Sequence, residues 1–414
     1  MSLIRGRSGR TLLVAVGATV RQAPRFLTGY LARRDRRTWV AGNVHGFRDS
    51  PRYLAEHVVA ARIGVEMWWI ARDADSGAAA KAAGLKVAMA GSAQARRVQR
   101  RAGVAFFTHG FRDVDLALVS GAFVVYLYHG TPLKRVGLDV IKKHARRRSL
   151  SVRLVARLLR AFHHGAHRLV DMYVAAGGLE RERFISAFGA RPDRVLPMGS
   201  PRFDVIRGGA AYDRVVVGDL RQRLGYAPRH RLIVWLPTHR REYGDAAWLP
   251  KLTSEQLDAA LGDDSDIRLL VKTHPNADWE TYRERLPDDP RVRLLREAEV
   301  DVNALLHIAD GLVSDYSSVF FDYSILGRPI WFFVPDLERY DIDRGLYDSY
   351  DVVTGGRHHA DWPSLLRALR AEGASMTDGE GLMNAERVAA YLRNNTEPET
   401  CRRITETILS LTAR

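Results

Sequence analysis

The stretch DVNALLHIADGLVSDYSSVFFDYSILGRPIWFFVPDLERYDIDR, from Asp301 to Arg344, decides the fold class. Asp301 is a side chain that accepts free backbone N–H groups at a helix start, and Leu305, Leu306 and Ile308 give the next turns one apolar side. GLVSD predicts a short buried strand and PIWFFV a second. Between them, SSVFFDYSIL predicts a helix entered through Ser317 and Ser318. Helix, strand, serine turn, helix, strand is a parallel α/β unit. A serine pair opening a helix after a strand offers free N–H groups, two hydroxyls and the positive end of the helix dipole at one point, which suits a phosphate. The same residue types also serve simply as helix caps, so both readings stand at this stage.

The rest of the chain repeats this alternation. TWVAGNVHG, VEMWWIA, KVAMA and VAFFTHG read as strands, separated by helices near Arg52 to Arg62, around Ala78 and across Ala93 to Ala102. A strand from Phe123 to Tyr128 delivers His129 at its carboxyl end, where open α/β sheets bind ligands. Gly130 permits close backbone approach there, Pro132 stiffens the turn, and Lys134 and Arg135 add positive charge. A strand at Asp171 to Ala176 and a helix at Glu180 to Phe188 lead to VLPMGSPRFD, with Arg202 and Asp204 beyond a strand-end turn. In the second half, RLIVWLPTHRR ends in Thr238, His239 and Arg240, and IRLLVKTHPNAD ends in Lys272, Thr273 and His274. VRLLRE is a third strand, and helices follow near Pro363 to Arg370, Asn384 to Arg393 and Glu399 to Leu411. The expected organisation is a basic segment at 1–37, an α/β domain at 38–212, a second at 213–380 and terminal helices at 381–414. The boundary is drawn through GGAAYDRVVVGD, Gly208 to Asp219. Both domains are expected to be doubly wound, with their polar strand ends facing one cleft.

Composition narrows the partners. The 414 residues carry a formal charge of +15, which implies an anionic partner. Met1 to Arg37 holds many arginines and one acid, Asp35. TLLVAVGATV within it is too short to span a bilayer and is followed at once by Arg21 and Arg25, so it reads as a membrane-facing amphipathic helix. From Lys142 to Arg168, arginines at 146, 147, 148, 153, 157 and 160 interleave with leucines at 150, 154, 158 and 159. That interleaving fits docking to an anionic membrane surface and equally a core-packed helix with a solvated basic face. No aromatic side chains line that face to stack on bases, so nucleic acid is not expected. No glycine-rich fingerprint or phosphate loop follows any strand, which argues against a nicotinamide cofactor or a P-loop nucleotide site. The single cysteine, Cys401, excludes an intrachain disulfide and a multi-cysteine metal site. No acidic cluster has metal-binding spacing, and Asp263 to Asp266 reads as a solvated turn, so neither metal nor cofactor is expected.

Four motifs occur together in order: HGTPLKRVG at His129 to Gly137, GSPRFD at Gly199 to Asp204, LPTHR followed by KTHP between Leu236 and Pro275, and DYSSVFFDYSILGRPIWFFVPDLERY. They resemble the CDP-glycerol glycerophosphotransferase family of teichoic-acid primases and polymerases, over about Thr38 to Tyr350. The resemblance implies a GT-B architecture and transfer of glycerol phosphate from CDP-glycerol, or another CDP-alditol, to a hydroxyl of a lipid-linked saccharide or polymer, with loss of CMP. It implies His129 as the general base and His274 as the group that stabilises the leaving CMP phosphate. Gly130, Thr131, Lys134, Thr238 and Lys272 would line the substrate site, and Ser317 and Ser318 would bind pyrophosphate oxygens. Arg202, Arg240 and Arg344 are candidate anion contacts or structural ion pairs; Asp315 and Asp322 would orient the serine turn or bind ribose hydroxyls. Commoner family members have an aromatic residue where this chain has His239, which leaves His239 without an implied role. The implied setting is peripheral, at the cytoplasmic face of the membrane, and an oligomer is allowed. The alternatives are a GT-B glycosyltransferase using a nucleotide sugar and a non-catalytic protein held to a membrane or nucleic acid by charge.

Overall fold

The computed structural model describes residues 28–110, 112–140, 157, 165, 167–208, 220–240, 248–262, 266–274, 276–296, 300–371 and 379–413. The segments 1–27 and nearly all of 141–166, on which the expected membrane-facing helices fall, lie outside the described residues, as do Asp263 and Asp264. The chain divides into two compact units. The first holds the chain up to His129, Val136 to Pro201, and Glu399 onward; the second holds Gly130 to Arg135 and Arg202 to Pro398.

Among the described residues the first unit is built on seven strands: β1 (Asp35–Gly42), β2 (Glu66–Ala71), β3 (Lys86–Met89), β4 (Ala102–Phe107), β5 (Phe123–Tyr126), β6 (Met172–Ala175) and β7 (Val195–Pro197). They lie in the order β3-β2-β1-β4-β5-β6-β7, every neighbouring pair parallel. A strand covered on both faces must be apolar at consecutive positions, and Trp39, Val40 and Ala41 of β1 are all fully buried. Phe107, Tyr126, Tyr128, Tyr173, Phe184 and Phe188 are aromatic members of the core. The second unit has β8 (Arg231–Trp235), β9 (Ile267–Lys272), β10 (Val292–Leu295), β11 (Gly311–Ser314) and β12 (Ile330–Phe332), in the order β10-β9-β8-β11-β12 and again all parallel. Trp235, Trp248, Tyr282, Trp331, Phe333 and Trp362 fill its core. Each unit is thus a doubly wound α/β sheet of the Rossmann type.

Asp301 caps its helix by accepting N–H bonds from Asn303 and Ala304, and the strands on either side of the serine pair are β11 and β12. The helix between them is shorter than Ser317 to Leu326: it runs Val319–Tyr323 and tightens into a 3₁₀ turn at Ser324–Leu326. The strand expected to reach Tyr128 ends at Tyr126, because Tyr128 turns left-handed with φ +54°.

Two organisational expectations change. The units part between Pro201 and Arg202 rather than at residue 212, and the tail from 381 does not stay together. Glu380–Leu392 packs on β12, with Asn384 Nδ2 donating to the Ile330 carbonyl at 3.0 Å. Thr400–Ala413 instead joins the first unit, burying Cys401, Ile404 and Ile408. Arg403 Nη2 donates to Met198 O and Arg36 Nη1 to Ala413 O, both at 3.0 Å. Replacing Ile404 or Ile408 with alanine is expected to cost about 2–5 kcal/mol through the cavity left behind. Native-state hydrogen exchange should show the loss of protection in β1 to β7 and not in β8 to β12; the reverse pattern would assign the helix to the other unit.

Candidate active site

In a parallel sheet all strands end on one edge, so the residues just past β4 and β5 are neighbours. Leu127 N–H donates to Phe107 O at 2.9 Å, and Thr108 Oγ1 donates to Tyr128 O at 3.1 Å. The left-handed backbone at Tyr128 is strained for an aromatic residue and is held by burying its ring against Phe184, 5.1 Å away, and Tyr126, 5.6 Å away. The next residue is His129. Its Nδ1 lies 3.4 Å from the Thr108 carbonyl oxygen, an atom that only accepts, so in the neutral ring Nδ1 carries the proton and Nε2 the lone pair. The His109 ring stacks on it at 4.6 Å and 9°, and His45 meets His109 edge-on at 4.6 Å.

The anchor of this edge is Asp113, which is fully buried. Its carboxylate accepts from Val44 N–H (2.8 Å), Thr108 N–H (2.8 Å) and His109 N–H (2.7 Å), tying the ends of β1 and β4 together. Burial raises its pKa above the usual carboxylate range, and the three N–H bonds act against that rise. Gly42 admits the chain here, since a Cβ on it would lie 2.3 Å from Asp113 O. The sequence reading passed over His45, His109 and Asp113. The available signal was the dipeptide His-Gly, which closes three predicted strands at His45, His109 and His129.

The second unit collects the other site residues. Residues Gly130 to Arg135 pack there through the Lys134–Leu346 bridge, with Arg135 N–H donating to Gly345 O (3.1 Å) and Tyr347 N–H to Leu133 O (3.0 Å). Thr131 is buried, and Lys134 Nζ lies 5.1 Å from the Tyr340 ring centroid. Gly130 has φ +131°, and a Cβ on it would stand 2.7 Å from Ser318 Oγ and 3.7 Å from Arg202 Nη2. Arg202 and Asp322 are both buried in a two-pronged ion pair, Nε to Oδ2 at 2.9 Å and Nη2 to Oδ1 at 3.1 Å. Asp322 therefore holds Arg202. Ser317 Oγ accepts from Val319 N–H at 3.3 Å, whereas Ser318 makes no side-chain cap, so capping accounts for one serine of the pair.

Beside them, Asp315 is fully buried. It accepts from Thr238 N–H (2.9 Å), Thr238 Oγ1 (2.6 Å) and Arg240 Nη1 (2.7 Å). Arg240 also donates from Nε and Nη2 to Asp336, both at 3.1 Å, and its guanidinium lies 3.8 Å from the Trp248 ring centroid. Burial works against its charge, but Asp315 and Asp336 outweigh burial and raise its pKa. The structure thus pairs Asp315 with Arg240 in a buried network, the structural ion pair that the sequence allowed for Arg240. Past β9, Lys272 is buried with Nζ 3.4 Å from Arg296 O. His274 is exposed; its Nδ1 accepts from Asn276 N–H at 3.1 Å, which leaves the proton of the neutral ring on Nε2. The His239 ring stacks on it at 5.6 Å and 15°. Arg344 ends the helix Leu337–Arg344, and its side chain lies outside the described residues. Among the described residues no group of three or more His, Cys, Asp or Glu could hold a metal ion.

Asp315→Asn is expected to remove about 3–5 kcal/mol of stability by leaving Arg240 short of one buried partner. Denaturant unfolding measures this. Wild-type stability with a raised donor KM alone would instead return Asp315 to ligand binding.

The chain is similar to several characterised proteins. It is 30% identical to the teichoic acid ribitol-phosphate primase of Bacillus spizizenii over 50% of this chain and 52% of that one. It is 32% identical to the teichoic acid poly(glycerol phosphate) polymerase of Staphylococcus epidermidis over 55% of this chain and 30% of that one. The teichoic acid glycerol-phosphate transferase of Staphylococcus aureus aligns at 28% identity over 59% and 60%. The matched region thus spans about a third to three-fifths of these relatives' lengths. Among solved structures, the wall teichoic acid polymerase TagF superposes with a TM-score of 0.70 at 24% identity, covering 98% of both chains. The S. aureus MnaA–UDP co-structure does so at 0.52 and 12%, covering 91% of this chain and 97% of that one. Both share the fold. The model of the CDP-glycerol:poly(glycerophosphate) glycerophosphotransferase family matches residues 27–408, and the chain belongs to that family.

Proposed function

We propose that the protein transfers glycerol phosphate from CDP-glycerol to a hydroxyl of a lipid-linked saccharide or polymer acceptor, releasing CMP, in synthesis of a teichoic-acid-like envelope polymer. The observation that carries this reading is the opposite hydrogen bonding of the two motif histidines in a chain of this family. His129 gives its Nδ1 proton to a carbonyl and keeps a basic Nε2; His274 takes an N–H on Nδ1 and keeps a donor at Nε2. One ring can take a proton and the other can give a hydrogen bond, as a displacement at phosphorus requires.

In the reaction, the acceptor hydroxyl oxygen attacks the glycerol-bearing phosphorus as its proton passes to His129 Nε2. The bond from that phosphorus to the bridging oxygen breaks, and CMP leaves with the bond electrons while His274 Nε2–H donates to its phosphate. Ser317 and Ser318, at the start of Val319–Tyr323, bind pyrophosphate oxygens, and Lys272 and Lys134 add positive charge. CDP-ribitol is the alternative donor, supported by the ribitol-phosphate primase among the relatives.

His129→Gln and His274→Gln are each expected to lower kcat by about 10²–10⁴-fold with the fold retained. CMP release from CDP-glycerol and from CDP-ribitol, alongside circular dichroism, checks this. A folded variant with near wild-type turnover removes that histidine from the mechanism.

The proposed setting is peripheral, at the cytoplasmic face of the membrane, held by the basic segments near the N-terminus and at 142–168. Among the described residues no helix is long and apolar enough to cross a membrane. Each basic residue near an anionic surface contributes about 1 kcal/mol. Replacing Arg146, Arg147, Arg148, Arg153 and Arg157 with glutamine should release the protein from phosphatidylglycerol vesicles and slow transfer to a lipid acceptor. It should spare transfer to a short soluble acceptor; equal loss on both would place these arginines in the fold or the catalytic machinery.

A further inference from the structure

We infer that the first unit carries a site for the phosphate groups of an anionic membrane lipid, in an open pocket on the outer side of the helix Ala93–Arg101. The pocket holds about 510 Å³, and Arg33, Arg96, Arg97, Arg100 and Arg101 line it. The inference rests on the peripheral setting proposed above and gives that setting a surface in the folded body of the first unit; the closing experiment separates the two.

The helix is two-sided. Ala95, Val98 and Gln99 are buried, whereas Arg96, Arg97, Arg100 and Arg101 are exposed, and the sequence AQARRVQRR holds no acid. Arg96 and Arg100, and likewise Arg97 and Arg101, are four residues apart, so each pair lies on one face about 6 Å apart along the axis. Like charges so placed repel and weaken a helix. The helix dipole favours Arg100 and Arg101 in the last turn but gives no such support to Arg96 and Arg97. Carboxylates do little to relieve the repulsion. Arg101 Nη2 pairs with Asp35 Oδ2 at 2.9 Å, and Asp35 also accepts from Thr38 Oγ1 and Arg37 N–H. Arg96 Nη1 donates to the neutral Gly91 carbonyl. Among the described residues, no ion pair is formed by Arg33, Arg96, Arg97 or Arg100.

The wall facing the helix is fastened to it. Arg34 Nη1 donates to Gln99 O at 2.9 Å and Ala102 O at 3.3 Å, and its Nη2 to Leu118 O at 3.0 Å. Those bonds hold Ala32 and Arg33 in place as part of the pocket lining. Immediately before them, Tyr30 and Leu31 are 68% and 72% exposed. Guanidinium groups take phosphate oxygens in forked, charge-assisted pairs. Cations beside exposed aromatic and aliphatic side chains suit a surface in which phosphates overlie hydrocarbon. A free phosphate would have no use for Tyr30 and Leu31, which is why a lipid headgroup is the occupant assigned.

The test uses the full chain with phosphatidylglycerol vesicles, phosphatidylcholine vesicles and inorganic phosphate. Combining Arg96→Gln, Arg97→Gln and Arg100→Gln should lower partition onto phosphatidylglycerol about 10–100-fold. A charge-matched control, Arg62→Gln with Arg223→Gln and Arg367→Gln at exposed positions elsewhere, should lower it by less than about threefold. Tyr30→Ser with Leu31→Ser should keep binding at low salt and lose most of the binding that survives high salt. All variants should release CMP at the wild-type rate with a soluble acceptor. Melting temperatures identify a variant that has lost its fold; Arg97→Gln alone, expected to weaken partition about threefold or more, and the Tyr30 and Leu31 pair then carry the comparison. Wild-type partition by the pocket variant, or equal loss in the control, overturns the site. So does release of the wild type from vesicles by inorganic phosphate but not by chloride of equal ionic strength, which would mark a free-anion site. If the pocket variant detaches while the variant lacking the arginines at 146–157 stays bound, the site stands and the role proposed for 142–168 falls. A wild type that ignores phosphatidylglycerol, or binds phosphatidylcholine equally, removes the peripheral setting as proposed and the site with it.

Discussion

One guanidinium held between two buried carboxylates organises the second unit. Arg240, Asp315 and Asp336 lie almost wholly out of water, where each ion loses several kcal/mol of hydration. The loss is offset because each charged atom finds a partner: Asp315 takes three hydrogen bonds, Asp336 takes two from Arg240 and one from Tyr316 OH, and the face of the guanidinium rests on Trp248. Hydrophobic residues of similar volume could stabilise such a site as well. They could not fix direction. The network binds the carboxyl ends of β8 and β11 to the segment after β12, so Thr238, His239 and the serine turn stand at defined places on one edge of the sheet. Rigidity there is what a site needs when its work is positioning and electrostatics rather than covalent chemistry.

The two motif histidines illustrate how backbone groups assign chemical roles. An imidazole is acid or base according to which nitrogen is already occupied. In the neutral rings, a carbonyl at Nδ1 leaves the lone pair of His129 on Nε2, and an N–H at Nδ1 leaves the proton of His274 on Nε2. Neither assignment requires a neighbouring carboxylate. In the first unit the carboxylate acts one step back: Asp113 holds the N–H groups of Thr108 and His109, the residues that supply the carbonyl and the stacking face for His129.

Strand and helix were legible where local chemistry decides them. Asp301 reads as a cap from its type and position, and the apolar runs of β8, β9, β11 and β12 read as strands because a doubly covered sheet demands them. What escaped reading depends on contacts distant in sequence. Nothing near Asp315 announces that its partner lies at Arg240, or that both vanish from the surface together. An arginine in a polar strand-end cluster looks like an anion contact until its burial is known. The last helix is equally non-local: Ile404 and Ile408 give it an apolar face, but only the fold shows that this face belongs to the first unit while Glu380–Leu392 stays with the second. The short helix after Ser318 was over-extended in reading because its apolar run continues through Ile325 and Leu326, where the chain tightens and Gly327 ends it in a left-handed turn.

The first unit offers three His-Gly strand ends, and its geometry explains why one of them stands apart. His45 touches His109 by an edge, His109 stacks on His129, and Tyr128 packs against His129 with ring centroids 4.1 Å apart. His129 has its Nδ1 against a carbonyl, its ring stacked on His109, and the Tyr128 ring 4.1 Å away. It also follows the one residue of the three strand ends that is left-handed without being glycine, Tyr128. That conformation costs energy for a residue with a bulky side chain, and it persists because the Tyr128 ring is buried among Tyr126, Phe184 and Phe188 while its carbonyl receives the Thr108 hydroxyl. An ordinary extended residue there would continue β5 and carry His129 away from the Thr108 carbonyl. The aromatic core of the first unit therefore holds the backbone turn that brings His129 Nδ1 to the Thr108 carbonyl, and the Tyr128 ring itself lies 4.1 Å from the imidazole.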